Sequence, residues 1–211
     1  MRTTALMWLA LTMPLAGSTS NPMNDLSPAV QNPAGKPHMD TLERVVDGNK
    51  LPLRFVKHSF SVHCYDTLAI YVEYNGDGSF CMTYRNKRSP AYKDSIPRER
   101  WGLADYIGVS NWPEPARVRW TSLDGVDYST ELDFAEIFPD GLTLHQVPDH
   151  ELPAGMFSQG ISSDPEIHLE VDNKTIRIYQ RGWIPTRSEQ IPGNRYSHRR
   201  RDLYLVAEYQ Y

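Results

Sequence analysis

The chain has 211 residues, with 22 basic side chains against 26 acidic ones, a net charge of −4, 40% apolar residues and two cysteines. An acidic balance argues against a general nucleic-acid binder, which needs a basic face. The length is enough for one sizeable domain whose core needs no metal staple.

Residues 1–18 have the order of an export signal: Arg2, an apolar stretch from Ala5 to Leu15 broken only by Thr12 and Pro14, then small residues. The stretch is too short to span a bilayer. Leu15-Ala16-Gly17-Ser18 resembles the lipobox of bacterial lipoproteins, with serine where the lipidated cysteine would stand. The expectation is a periplasmic protein. It is either cut near Ser18 or Ser20, or descends from a lipoprotein precursor changed at Ser18 and anchored to the membrane in its cysteine form. Losing the signal removes one basic residue and leaves the remainder at −5. Residues 19–50 read as a flexible tether, because 19–42 hold four prolines and many small polar residues without an apolar period.

From Leu51 to Tyr211 the pattern is that of a single domain, mainly β: an antiparallel sheet or β-sandwich with one or two short helices. Leu53 to Val62 partly alternates, Leu68 to Tyr74 is apolar and aromatic, and Ser79 to Tyr84 resumes after Asn75-Gly76-Asp77-Gly78, so three antiparallel strands are expected there. Arg98 to Tyr106 suits a short helical turn. A hairpin is expected from Arg117–Thr121 and Val126–Leu132 around Asp124-Gly125, a pair that favours the positive φ of a tight turn. Val118 and Trp120 share its buried face and Arg117 and Arg119 the other. Phe134 to Phe138 suits a second short helix, ended by Pro139-Asp140-Gly141. Glu166–Val171 and Thr175–Gln180 form the cleanest alternation, with Ile167, Leu169 and Val171 inward and His168 and Glu170 outward. Asp202 to Tyr209 reads as a closing strand.

Cys64 and Cys81 form an even pair, most simply a disulfide in an oxidising compartment. Two buried free thiols are the competing reading, since a plain hairpin about Asn75–Gly78 sets Val72, not Cys64, opposite Cys81. His63, next to Cys64, points to the opposite face of its strand.

The chain has no GxSxG, HExxH, Walker loop or glycine-rich dinucleotide fingerprint, so neither an enzyme nor a cofactor is expected. His58 with His63 and His145 with His150 lack a ligand set of metal-binding spacing and read as hydrogen-bonded or solvated histidines. Asp149-His150-Glu151, between Pro148 and Pro153, reads as a rigid exposed loop. Arg195 to Arg201 is the one basic run, either a solvated loop or a contact for phosphate-bearing headgroups. Trp101, Trp112 and Trp183 lie in or beside long connections, where an aromatic is more often a plug under a loop than an anchor, although exposed loop tryptophans dominate interfaces.

The lipobox-like Leu15–Ser18, together with the segments His63–Thr67, Val118–Gly125 and Thr175–Tyr179, resembles small Gram-negative envelope proteins of the immunity type, partners of type VI secretion phospholipase or lipase effectors. What the resemblance implies is a stoichiometric inhibitor that covers the active-site opening of a toxin delivered into the periplasm. The residues expected to meet that effector are Trp101, Asp105, Trp112, Asp124, Asp149 and Glu151, the acids for steering and the tryptophans as anchors. A glycan- or lipid-binding periplasmic β module and a hydrolase with an unfamiliar site are the alternatives; no nucleic-acid partner is expected.

Overall fold

A computed structural model describes residues 29–31, 41–158 and 164–211. The expected export signal, Ser18 within it, and most of the expected tether lie outside these residues. The strands are β1 (Ala29–Gln31), β2 (Arg44–Val46), β3 (Asn49–Leu51), β4 (Lys57–Tyr65), β5 (Thr67–Glu73), β6 (Tyr106–Ser110), β7 (Ala116–Ser122), β8 (Asp127–Leu132), β9 (Glu166–Asp172), β10 (Thr175–Arg181), β11 (Ile184–Pro185), β12 (Arg199–Arg200) and β13 (Leu203–Gln210). A single α-helical turn, α1 (Phe134–Ile137), starts where the Asp133 carboxylate accepts a hydrogen bond from the Ala135 amide.

The protein is mainly β, as its alternation predicts. A six-stranded sheet has the order β1-β13-β10-β9-β4-β6 and a three-stranded sheet the order β5-β7-β8. The pairing is antiparallel throughout except between β4 and β9. One apolar cluster joins the sheets: Phe60 and Cys64 from β4, Leu169 and Val171 from β9 and Ile178 from β10 meet Val72 from β5 and Val118 and Trp120 from β7. The chain changes sheet at Asp66, whose positive φ of 48° turns it between β4 and β5.

The two later hairpins form about the expected turns, with Trp120 opposite Tyr128 and Ile178 opposite Leu169. Gly125 takes φ 82° in the first turn and Asn173 φ 51° in the second. The first expected sheet is different. β4 and β5 belong to separate sheets, and 79–84 is not a strand: Met82–Tyr84 is a 3-10 turn. Phe80 is buried edge-on against Phe60 with ring centroids 5.2 Å apart, and Cys81 is bonded to Cys64, so core packing and a covalent bond pull the segment out of any ladder. That disulfide, with Cα atoms 6.4 Å apart, joins the two candidate cysteines.

Two pieces of the expected tether are ordered. Ala29–Gln31 adds to the outer edge of β13 through backbone pairing, which needs no side-chain period. β2 and β3 form a hairpin through Asp47-Gly48, both at positive φ. That dipeptide is a hairpin signal in its own right, set directly after a proline-rich stretch whose composition masks it. The hairpin is held by Asn49, whose carboxamide accepts from the Phe157 amide (2.7 Å) and donates to the Pro153 carbonyl (3.0 Å).

Candidate functional site

The outer face of the six-stranded sheet gathers the molecule's densest set of chemically capable side chains. Strand alternation sends Ser61, His63 and Tyr65 of β4, Glu166, His168 and Glu170 of β9, and Arg177, Tyr179 and Arg181 of β10 to that face. The register then sets Ser61 beside His168, His63 beside Glu170, Tyr179 beside His168, and Arg181 beside Glu166. A strap formed by residues 90–104, with 3-10 turns at Tyr92–Asp94 and Arg98–Arg100, lies over them.

Two arginine clamps tie strap to sheet. Arg98, on the strap, grips Glu170 with two parallel bonds of 2.6 and 2.7 Å, and its guanidinium lies 4.0 Å over the Tyr92 ring. Arg177 gives the same carboxylate a third bond of 2.8 Å. Arg181 works in the other direction, from the sheet outward. It donates to Glu166 (2.7 Å), to the strap carbonyls of Trp101 (3.1 Å) and Gly102 (2.7 Å), and to His168 Nε2 (2.9 Å). Trp101 fills the space between the clamps. It stacks flat on His63 with centroids 3.7 Å apart and donates from its indole to Tyr65 Oη (3.1 Å).

These contacts decide the protonation of the cluster. Arg181, which can only donate, lies 2.9 Å from His168 Nε2, and the Glu166 carboxylate, which can only accept, lies 3.4 Å from the same nitrogen; the nearer contact places the single ring proton of a neutral His168 on Nδ1. That nitrogen faces Ser61 Oγ at 2.8 Å and His63 Nε2 at 3.1 Å. Burial, together with the neighbouring His168 and Arg181, holds His63 neutral and lowers its pKa to about 3. His168 is lowered by burial too, against the pull of Glu166. Burial works to raise Glu166, but His168 and Arg181 outweigh it and bring the group to about 2. Ser61, His168 and Glu166 are the residue types of a hydrolytic triad, here closed in beneath the strap. His168 presents Ser61 a proton instead of a lone pair, and the serine is 2% exposed. Among the described residues no group of three or more His, Cys, Asp or Glu is placed to hold a metal ion. The cluster is chemistry turned inward, spent on holding the strap.

The residues expected to meet a partner are scattered, and most are already engaged. Trp101 is buried in the strap. Trp112 is half-buried, stacked on Phe138 at 5.8 Å and edge-on to Phe55 at 5.4 Å, so neither tryptophan is a free anchor. Asp149 is paired with Arg44 at 2.8 Å and bridges the connection to the β2–β3 hairpin. Glu151 accepts from the Ser188 amide and hydroxyl, both at 3.0 Å. Asp124 is exposed but belongs to its own turn, bonded to Ser122 and paired with Lys174 at 2.6 Å, and these two contacts lower its pKa. Asp105 alone stands exposed where the strap runs into β6. On either side of it are Leu103, 67% exposed, and Ile107, 77% exposed. β6 is the last strand of its sheet, and Ile107-Gly108 form a bulge opposite Ser59 that turns the isoleucine outward. The paired histidines also lie apart: His58 is bonded to Asn111 (2.7 Å) and Tyr74 (2.8 Å) on the core side, away from His63.

The basic run forms one side of an arm. β11 and β12 pair at its base, and residues 186–198 project between them. Arg201 lies 3.7 Å and Arg199 5.1 Å from the centre of the Trp183 ring. The signal that would have located this site was in the sequence: Glu166, His168, Glu170 and Arg177, Arg181 are titratable residues at one parity of two adjacent strands. Alternation marks them as one face and does not show that the strap covers it.

No family model matches the chain, and no curated protein or solved structure matches it. No helix among the described residues is long and apolar enough to cross a membrane.

Proposed function

We propose that the protein is a periplasmic immunity protein that binds a secreted antibacterial toxin, of the type VI phospholipase or lipase effector class, and occludes its active site without chemistry of its own. The observation that supports this reading is the contrast between the inward cluster and the strap's exit. The groups able to react are paired with one another beneath the strap, whereas Leu103, Asp105 and Ile107 present an apolar and acidic patch on an open sheet edge. An edge strand offers unpaired backbone groups to a partner, and exposed aliphatic side chains on a rigid support lose little entropy on docking. Asp105 takes the steering role expected of the four acids, and Leu103 and Ile107 replace the tryptophans as apolar anchors.

The test is titration of the protein against a purified antibacterial lipase of the type VI effector class, taken from the neighbouring genes where one is encoded there, reading residual lipase activity. Inhibition should saturate at about one equivalent. Leu103→Asp or Ile107→Asp should weaken inhibition by about tenfold or more with the unfolding midpoint in place, and Asp105→Ala should slow association chiefly at low salt. Turnover of lipid or toxin by substoichiometric protein, or no binding at micromolar concentration, refutes the reading.

A further inference from the structure

The basic run is unlike the rest of the molecule in charge, shape and satisfaction. Between Trp183 and Arg201 five arginines stand against Glu189 alone, a net +4 that leaves −8 for the remainder of the chain. Two of the five are spent on structure. Arg187 pairs with Asp47 (2.8 Å) and donates to the Leu152 carbonyl (2.8 Å), and Arg200 pairs with Asp202 (2.8 Å). Arg195 and Arg199 have no carboxylate partner among the described residues. Arg201 has only Glu166 at 3.9 Å, a carboxylate already held by Arg181. Stacking of Arg201 on Trp183 occupies the flat face of the guanidinium and leaves its N–H edge to meet an oxyanion.

The arm that carries these groups is built before any partner arrives. The Thr186 amide donates to His198 and the Gln190 amide to Ser197, closing the two sides together. At the tip, Ser197 Oγ accepts from the Ile191 amide (3.0 Å) and donates to the Asn194 carbonyl (2.7 Å), while Glu189 accepts from the Gly193 amide (2.8 Å). This self-bonded turn leaves Ile191 58% and Tyr196 72% exposed, with Arg195 resting on the Tyr196 ring. An apolar side chain and a tyrosine at a convex tip, backed by unpaired guanidiniums along the arm, is the composition that suits the headgroup layer of a bilayer. The ring and the aliphatic group enter the acyl boundary while the arginines meet phosphates.

We propose that this arm, from Trp183 to Arg201, docks the protein on an anionic phospholipid surface. Phosphates at the surface meet Arg195 beside the inserted tip, and the headgroup layer around the arm offers oxyanions to Arg199 and Arg201 nearer its base. An acidic protein would need a carboxylate matched to each, and an acidic surface gives no place for Ile191. The charge asymmetry orients the approach, arm toward the membrane and acidic body away. The inference is independent of the toxin reading, since it uses none of Leu103, Asp105 or Ile107.

The experiment is cosedimentation of the full chain with vesicles of phosphatidylglycerol and phosphatidylcholine, against vesicles of phosphatidylcholine alone, at low and high salt. Binding is expected only to the anionic vesicles and is released by salt. The double variant Arg195→Gln/Arg199→Gln should bind about 30-fold more weakly, at roughly 1 kcal/mol for each arginine lost. Ile191→Ser/Tyr196→Ser, which touches only the exposed tip, should weaken binding with the unfolding midpoint unchanged. Equal binding to both vesicles, unaltered binding by the arginine variant, or binding to soluble polyglutamate with none to vesicles overturns the proposal, the last in favour of an acidic protein partner.

Discussion

The two sheets carry the same alternation and treat their polar faces in opposite ways. In β7, Val118 and Trp120 are buried while Arg117 and Arg119 face solvent, and Arg117 makes only an exposed pair with Glu73. In β9, Ile167, Leu169 and Val171 are buried on one face, and Glu166, His168 and Glu170 are just as buried on the other. The difference lies in what covers them. Among the described residues Arg119 lies exposed beside the Tyr71 ring, whereas the strap brings Arg98 and Trp101 down onto the β9 face. Charges on an open face contribute little because water screens them. Charges beneath a strap must be paired and hydrogen-bonded in full, which makes them costly to disturb and restrictive of the fold.

The largest effect should therefore come from breaking a clamp. Glu166→Ala leaves Arg181 buried without its counter-ion and should destabilise the protein by about 3–5 kcal/mol in denaturant unfolding. Replacing both partners with apolar residues, Glu166→Leu with Arg181→Met, should recover a large part of that loss. A double variant no better than the single one would show that the strap carbonyls of Trp101 and Gly102, not the carboxylate, are what Arg181 serves.

Next in size is the disulfide, which pins the 3-10 turn to β4. Cys64→Ala/Cys81→Ala should cost about 3 kcal/mol by release of a short closed loop in the unfolded chain. The measurement is the same unfolding series, with thiol labelling of the oxidised parent to confirm that neither sulfur reacts.

The strap should also make stability depend on pH where the open sheet does not. His63 is held at about 3 in the folded protein against 6.5 for an ordinary histidine, so below 6.5 the unfolded chain binds a proton that the folded one refuses. Stability is complete above that value and falls as pH drops toward 3, at about 1.4 kcal/mol per pH unit, or about 2 kcal/mol between neutral and pH 5. Glu166, held at about 2 against 4.5, adds a second loss that begins below 4.5 and continues toward 2. His168, His58 and His145 are lowered by burial too and add losses in the same window, so His63→Gln should make the profile between pH 6.5 and 4.5 shallower without flattening it, and parallel profiles for parent and variant would remove His63 from the account.

The smallest effect is expected on the open face. Arg119→Ala, which loses a stacking contact at 4.9 Å over Tyr71 and nothing buried, should change stability by less than about 0.5 kcal/mol. A loss as large as that from the clamp would mean that the two polar faces are equivalent after all.

Much of this architecture was legible locally. Asp124-Gly125 and Asn173-Lys174 mark two hairpins, Ile167, Leu169 and Val171 mark an inner face, and Asp47-Gly48 marks a third hairpin that composition alone conceals. The candidate site was legible only as its parts. Glu166, His168 and Glu170 share a parity, but that they are buried depends on a strap more than sixty residues earlier in the chain. Trp101 and Trp112 were readable as plugs or as anchors, and packing against His63 and Phe138 makes them plugs.

What the sequence by itself determined is the list of strands with a strong period of two, the turns whose residues accept positive φ, and the sidedness of each strand, because all three follow from dihedral preference and alternation over a few residues. What only the tertiary structure decided is which strands are neighbours, that β4 runs parallel to β9 while β5 leaves for the other sheet, and that the strap seals the face bearing His63, His168, Glu166 and Arg181. Those are choices between distant segments. Any two strands offer the same backbone hydrogen bonds, so the choice rests on how whole side-chain surfaces fit and on whether every buried charge finds its partner.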